Sequence, residues 1–64
     1  MLKINGQESE AEGKTVSEYL ASANYEPKQV VVEINEQIIA KERYRETLLK
    51  EGDVVEIISF MGGG

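Results

Sequence analysis

Hydrophobic and polar residues alternate at the start of the chain, which is the pattern of a strand with one buried face. Leu2 and Ile4 fall on the same face of this predicted strand. Asn5 and Gly6 follow, and they predict a hairpin turn because both residue types tolerate a positive φ angle. The returning segment, residues 7–12, is polar and therefore predicts a weak strand at the edge of a sheet.

The next apolar residues recur with the period of a helix. Thr15 and Glu18 predict a capping box, in which each side chain accepts a hydrogen bond from the backbone N–H of the other residue. Asn24 and Pro27 end the helix, since proline has no N–H group and restricts the residue before it. The apolar stripe of the predicted helix consists of Val16, Tyr19, Leu20 and Ala23.

The second half of the chain contains further apolar runs. Residues 30–35 are rich in β-branched side chains and predict a buried strand, and residues 37–40 predict a short strand that pairs back with it. Residues 41–49 are too mixed for a helix, so we expect a 3₁₀ turn or an extended crossing there. After a turn at residues 50–53, residues 54–60 predict the last strand.

This order of elements predicts an α+β fold, in which one main helix packs on one face of a mixed sheet of about four to five strands. In the last strand Glu56 should face water, and the residues two or four positions away from it should lie on the same outward face. The inward positions are then Val55 and Ile57. The outward positions are Val54, Glu56, Ile58 and Phe60.

Composition and charge limit the functions open to the chain. Its 64 residues predict a single domain, residues 1–61, followed by a flexible tail, residues 62–64. The sequence contains neither Cys nor His, so it offers no disulfide, no thiolate metal ligand and no histidine base. A net charge of −5 disfavours binding to nucleic acid, and no apolar run approaches the ~20 residues of a membrane span. We therefore expect a soluble cytoplasmic protein, monomeric on its own, without a metal ion.

The sequence ends in Gly62, Gly63 and Gly64. Glycine lacks a Cβ atom, so the segment is slim and, when extended, reaches roughly 10 Å past the domain. Such a tail can thread a narrow enzyme channel and present its carboxylate to ATP, which would convert it into a reactive acyl-adenylate. The alternative is a frayed terminus without function. A domain with a presentable carboxylate and no catalytic groups is predicted to be a substrate of other enzymes, not an enzyme.

Apolar and aromatic residues close to the tail are candidates for a partner surface. Ile58, Phe60 and Met61 are large apolar residues beside the predicted tail, a setting typical of protein interfaces. The alternative is that loops of the domain itself cover them. Tyr44, which stands between two arginines, either contacts a partner or fills the end of the small core.

The acidic residues are weaker candidates. Glu8, Glu10 and Glu12 alternate along the predicted edge strand, where charge discourages pairing with other sheets, although a basic partner could also dock there. Asp53 and Glu56 do not make a catalytic pair, because Asp53 falls in a turn where aspartate is favoured for backbone reasons.

Three segments of the chain resemble the ThiS family of thiamine-biosynthesis sulfur carriers. They are "MLKING" at the start, "VVVEINEQIIAKERY" in the middle and "LLKEGDVVEIISFMGGG" at the end, and together they cover essentially the whole chain. The terminal diglycine is part of the resemblance. It implies the β-grasp, ubiquitin-like fold, in agreement with the predicted order of elements.

The resemblance also implies a function for the tail. The carboxylate of Gly64 would be adenylated with ATP by an activating enzyme of the ThiF type, while Gly62 and Gly63 thread into the partner. A persulfide from a cysteine desulfurase would then convert Gly64 to a thiocarboxylate, and thiazole synthase, ThiG, would use that sulfur. The carrier itself would hold no cofactor. Two alternatives remain open: a MoaD-like small subunit of molybdopterin synthase, and a ubiquitin-like protein modifier.

Overall fold

The structure, a computed structural model, describes residues 1–60. In that range a mixed β-sheet is covered on one face by an α-helix. The predicted α+β arrangement and the predicted strands are confirmed, and a 3₁₀ turn follows the fourth strand as expected. The bounds are β1 (Leu2–Ile4), β2 (Gln7–Ser9), α1 (Val16–Ser22), a 3₁₀ helix (Pro27–Gln29), β3 (Val30–Ile34), β4 (Gln37–Ile39), a 3₁₀ helix (Lys41–Arg43) and β5 (Val54–Ser59).

The last strand lies in the middle of the sheet. Across residues 1–60 the sheet has five strands in the order β2-β1-β5-β3-β4. β5 runs parallel to β1, with Ile4 beside Val55, and antiparallel to β3, with Val32 beside Ile57. The described chain therefore ends on a strand in the middle of the sheet, which β3 pairs with from Val55 to Ser59 and β1 pairs with at Val54 and Val55.

Both hairpin turns contain an asparagine that also hydrogen-bonds β5. Asn5 and Asn35 have φ angles of 52° and 53° and are each followed by a second residue with positive φ, as two-residue hairpin turns require. The Asn5 carboxamide accepts from the Ile57 N–H at 2.8 Å, and the Asn35 carboxamide accepts from the Val54 N–H at 3.0 Å. Each turn therefore fixes the register of β5 as well as that of its own hairpin.

The capping box predicted for α1 is present. Thr15 Oγ1 accepts from the Glu18 N–H at 3.1 Å, and Glu18 Oε1 accepts from the Thr15 N–H at 2.8 Å. Val16 and Leu20 are buried on the sheet side of the helix, while the other members of the predicted stripe are half-buried. The helix ends before Asn24, which adopts a φ angle of 64°.

We expect Thr15→Ala to destabilise the domain by about 1 kcal/mol, the usual loss when an N-cap side chain is removed. The urea midpoint should fall without a change in the slope of the transition. Ser17→Ala, which removes a hydroxyl from the same helical turn at a position that does not cap it, is the control and should change the midpoint little. Equal effects of the two substitutions would contradict a capping role for Thr15.

The core is a thin layer between α1 and the sheet. Tyr44, 2% exposed, closes one end of it, so of the two interpretations of this residue the filling of the core is confirmed and a direct partner contact is wrong. Burial raises the pKa of the Tyr44 phenol above its ordinary value. The buried cluster comprises Leu2, Ile4, Ala11, Val16, Leu20, Val30, Val32, Tyr44, Leu49, Val55 and Ile57.

The edge strand is shorter than the sequence pattern predicts. β2 ends at Ser9, so only Glu8 lies on it, and the predicted alternation of acidic residues along one strand is wrong beyond that point. The reason lies in the register, which pairs Ser9 with Leu2, the first residue of β1, and two residues later Ala11 is buried. Glu12 instead lies 3.2 Å from the N-terminal ammonium of Met1. The exposed Glu8 still places charge on an edge strand, as expected of a protected sheet edge.

Candidate functional site

The predicted site begins where β5 ends. Gly62, Gly63 and Gly64, together with Met61 of the predicted partner surface, lie outside the described residues, so the expectations about them stay predictions. The described part of the site is the C-terminal end of β5 with Ile58 and Phe60, the two remaining members of that surface. They are 48% and 57% exposed, so the loops of the described domain leave them accessible.

The alternation predicted for β5 is confirmed. Val55 and Ile57 point into the core and are at most 7% exposed, whereas Val54, Glu56 and Ile58 lie on the face of the sheet opposite to α1. This opposite face is called the outer face below. Large apolar side chains that remain exposed there are characteristic of surfaces that bind a partner.

On the outer face, the adjacent strands β3 and β5 carry both apolar and acidic side chains. Ile58 of β5 lies directly opposite Val31 of β3, and Glu56 lies directly opposite Glu33. Two carboxylates facing each other across adjacent strands weaken that pairing. The arrangement suits a partner that covers the apolar side chains and brings basic groups toward the glutamates.

Phe60 is held at the base of the predicted tail by its backbone and its ring. Its N–H donates to the Gln29 carbonyl at 3.1 Å, which extends the β3–β5 pairing by one residue. The ammonium of Lys41 lies 5.7 Å from the centre of the Phe60 ring. The same ammonium donates to the Val30 carbonyl at 2.8 Å and lies 5.9 Å from the centre of the Tyr44 ring.

Sequence reasoning missed Lys41. Its spacing of three residues from Tyr44 could have indicated the contact, because side chains at i and i+3 stack above each other in a 3₁₀ turn. The approach of Phe60 from the end of β5 had no local signal, since it depends on the pairing of β5 with β3. Arg43 and Arg45 remain exposed, and Arg43 pairs with Glu46 at 3.3 Å.

Asp53 has the backbone role that its turn position predicts. One carboxylate oxygen accepts from the Lys50 N–H at 3.0 Å and the other from the Asn35 carboxamide at 3.1 Å, which closes the turn before β5. A shallow groove of about 340 Å³ beside this turn is lined in part by Leu48, at the opposite end of β5 from Phe60. Within residues 1–60, no cluster of acidic side chains is arranged to hold a metal ion.

Along residues 1–60, no helix combines the length and the apolar character that crossing a membrane requires.

Comparisons with known proteins agree with one another. The profile described as the ThiS family matches residues 2–64. The sulfur carrier protein ThiS of Bacillus subtilis (strain 168) is 46% identical over an alignment that covers 100% of both chains. The crystal structure of the thiamine biosynthesis protein ThiS from Geobacter metallireducens superimposes with a TM-score of 0.79 at 36% identity, covering 98% of this chain and 97% of that one. The expected β-grasp fold is confirmed by this match.

A further relative has a different name and a different length. A thiazole synthase of Magnetococcus marinus is 33% identical to this chain over 64 residues, which is 98% of this chain but 20% of that protein. About a fifth of that longer polypeptide is therefore similar to almost the whole of this chain.

Proposed function

Because the chain belongs to the ThiS family, we propose that it is a sulfur carrier protein of thiamine biosynthesis, loaded with sulfur at the carboxylate of Gly64. One observation carries the proposal more than any other. The similarity to the relative named sulfur carrier protein ThiS extends over the full length of both chains, so it includes the glycine tail as well as the folded domain.

The proposed loading has an activation step and a transfer step. The Gly64 carboxylate attacks the α-phosphorus of ATP on an activating enzyme of the ThiF type and releases pyrophosphate, which leaves a glycyl-adenylate. The terminal sulfur of a persulfide, derived from a cysteine desulfurase, then attacks the carbonyl carbon and AMP departs. A second thiol reduces the resulting acyl disulfide and frees the thiocarboxylate. ATP is consumed by the activating enzyme, and the carrier itself holds no cofactor.

The domain contributes a rigid support for a reactive terminus. β5 is paired with β3 from Val55 to Ser59 and with β1 at its first two residues, and the carboxamides of Asn5 and Asn35 bond its backbone, so the sheet positions the strand from which the tail extends. Holding a reacting group in a defined position is worth several orders of magnitude in rate. A slim glycine tail on such a base can enter a channel that a bulkier segment could not.

We propose thiazole synthase as the acceptor that uses the sulfur. The support is the thiazole synthase of Magnetococcus marinus, in which a segment similar to this chain is part of the same polypeptide. In that arrangement the two parts meet without diffusional encounter, as expected when one serves the other. For the present chain we propose that the encounter with thiazole synthase takes place in the cytoplasm, with the carrier a monomer between encounters.

The direct test is intact mass spectrometry after incubation with ATP, a ThiF-type enzyme and a persulfide-generating desulfurase. A mass gain equal to replacement of one oxygen by sulfur, localised to Gly64, is the expected result. Pyrophosphate release without any mass gain would instead favour a protein modifier, whose conjugates would appear on a denaturing gel. Transfer of sulfur to a pterin by a molybdopterin synthase large subunit, but not to thiazole by thiazole synthase, would favour the MoaD-like alternative.

We expect Phe60→Asp to weaken binding to the activating enzyme by about 30-fold, a loss typical of an aromatic anchor at an interface. The reason is that the substitution places a charge where an exposed ring now lies beside the predicted tail. Titration calorimetry with the purified enzyme measures the effect. Leu48→Asp is the matched control, because Leu48 is 51% exposed but lies near the other end of β5. The affinity of this variant for the activating enzyme should stay within about twofold of the wild-type affinity. Equal losses would remove Phe60 from the proposed interface.

A further inference from the structure

The ammonium of Lys41 occupies a defined position between three groups. It donates a hydrogen bond to the Val30 carbonyl at 2.8 Å. It also lies 5.9 Å from the centre of the Tyr44 ring and 5.7 Å from the centre of the Phe60 ring, both within the range of cation–π attraction. Tyr44 is buried and Val30 begins a central strand, so two of the three partners belong to the rigid domain.

The third partner is different, because Phe60 is 57% exposed and follows the last residue of β5. An exposed aromatic side chain on the surface of a small domain ordinarily samples several rotamers. Here the ring meets a cation that is itself anchored to the backbone of β3, so its position is tied to the sheet. A side chain already ordered before docking loses less conformational entropy on binding than a mobile one.

We propose that Lys41 is a positioning residue, which orders the Phe60 ring at the base of the tail for docking on the activating enzyme. The inference rests on the proposed sulfur-carrier function and adds to it a residue that acts only through Phe60. Lysine suits this position, since its compact ammonium has three donors and can bond a carbonyl while facing two rings. Arginine keeps the positive charge, the donors and the ability to stack on a ring.

The first experiment compares the KM and kcat for carrier in ATP-dependent adenylation by a ThiF-type enzyme. We expect Lys41→Met to raise KM about three- to tenfold, the fold-change that ordering one side chain on binding produces, with kcat within about twofold. Lys41→Arg should restore most of the affinity. The control is Lys50→Met, which removes the same charge at the opposite end of β5 and should leave KM unchanged. An unchanged KM for Lys41→Met would overturn the inference.

A double-mutant cycle asks whether Lys41 works through the ring. In a Phe60→Leu background, Lys41→Met should cause no further rise in KM, because the group that it positions is gone. If the two substitutions instead multiply their effects, Lys41 contacts the enzyme independently of Phe60 and the inference is wrong. If Lys41 had a structural role alone, its substitution would lower the melting temperature of the domain. The KM measured at a temperature well below that melting temperature would then stay unchanged. Circular dichroism checks folding of each variant, and Lys41→Gln replaces Lys41→Met if that protein does not fold.

The result separates failure of this inference from failure of the proposed function. Wild-type protein that is loaded with sulfur, alongside a Lys41→Met variant of unchanged KM, would overturn the role of Lys41 and leave the carrier function standing. Wild-type protein that accepts neither AMP nor sulfur from a competent enzyme would overturn the carrier function, and the role of Lys41 with it.

Discussion

Deletion of Gly64 is expected to reduce sulfur loading by at least about 100-fold, while the domain stays folded. The deletion leaves a carboxylate on Gly63, so the reacting group is chemically the same but lies up to ~3.5 Å nearer to the domain. A displacement of about 1 Å can already cost a factor of roughly 100 in rate. Stability should not change, because the buried cluster found among the described residues 1–60 runs from Leu2 to Ile57 and the deletion leaves all of its members in place. Intact mass spectrometry gives the loading, and thermal melting gives the stability.

A chain extended by one glycine after Gly64 is the matched control for the chemistry of the carboxylate. It also ends in a glycine, but its carboxylate lies farther from the domain by the length of one residue. We expect both variants to fail if position relative to the domain is what the enzymes require. Efficient loading of either variant would show that the terminus is not held in a fixed position, and would contradict the proposed role of the domain as a rigid support.

The elements of the fold were predictable because their signals are local. The Asn5-Gly6 turn, the capping box of Thr15 and the alternation in β5 each depend on a few neighbouring residues, and the structure confirms all of them. The shortened β2 was not predictable in this way. β2 ends at Ser9 because its register pairs that residue with Leu2, where β1 begins, and such a register is a property of two strands and not of one short segment.

The side-chain contacts that support the site could not be predicted from neighbouring residues in the sequence. The carboxamide of Asn5 bonds the backbone of Ile57, and Asn35 bonds that of Val54, partners that are 52 and 19 residues away in sequence. The sequence predicts the Asn5-Gly6 turn because both residues tolerate a positive φ angle, but it does not show that the side chains of Asn5 and Asn35 hydrogen-bond β5. Lys41 is a similar case, since its contact with Phe60 exists only once β5 is inserted beside β3.

These long-range contacts connect the position of the base of the tail to the stability of the core. The base of the tail is positioned by β5, and β5 is positioned by β1 from the start of the chain, by β3 from its middle and by the core beneath it. In a chain of 64 residues that core is thin, so few side chains stabilise it. Loss of one central core side chain should therefore affect the whole domain, including the part that presents the tail.

Leu20→Ala is the core substitution for which we expect the largest loss, about 3 kcal/mol in the free energy of unfolding. Leu20 is 0% exposed and is the central apolar residue of α1 over the sheet, so truncation leaves a cavity that neighbouring strands cannot readily fill. A domain of this length has a total stability of roughly 3–10 kcal/mol, which makes the loss a large fraction of it. Urea unfolding followed by circular dichroism measures it as a fall in the midpoint.

Leu48→Ala is the matched control, since the same atoms are removed from a leucine that is 51% exposed. We expect a change of less than about 0.5 kcal/mol for this surface position. The contrast between the two variants tests whether α1 is held by burial of its apolar stripe or mainly by its capping box. Similar small losses for both would mean that the packing of Leu20 against the sheet contributes little, and would contradict the role of this core as the support of β5.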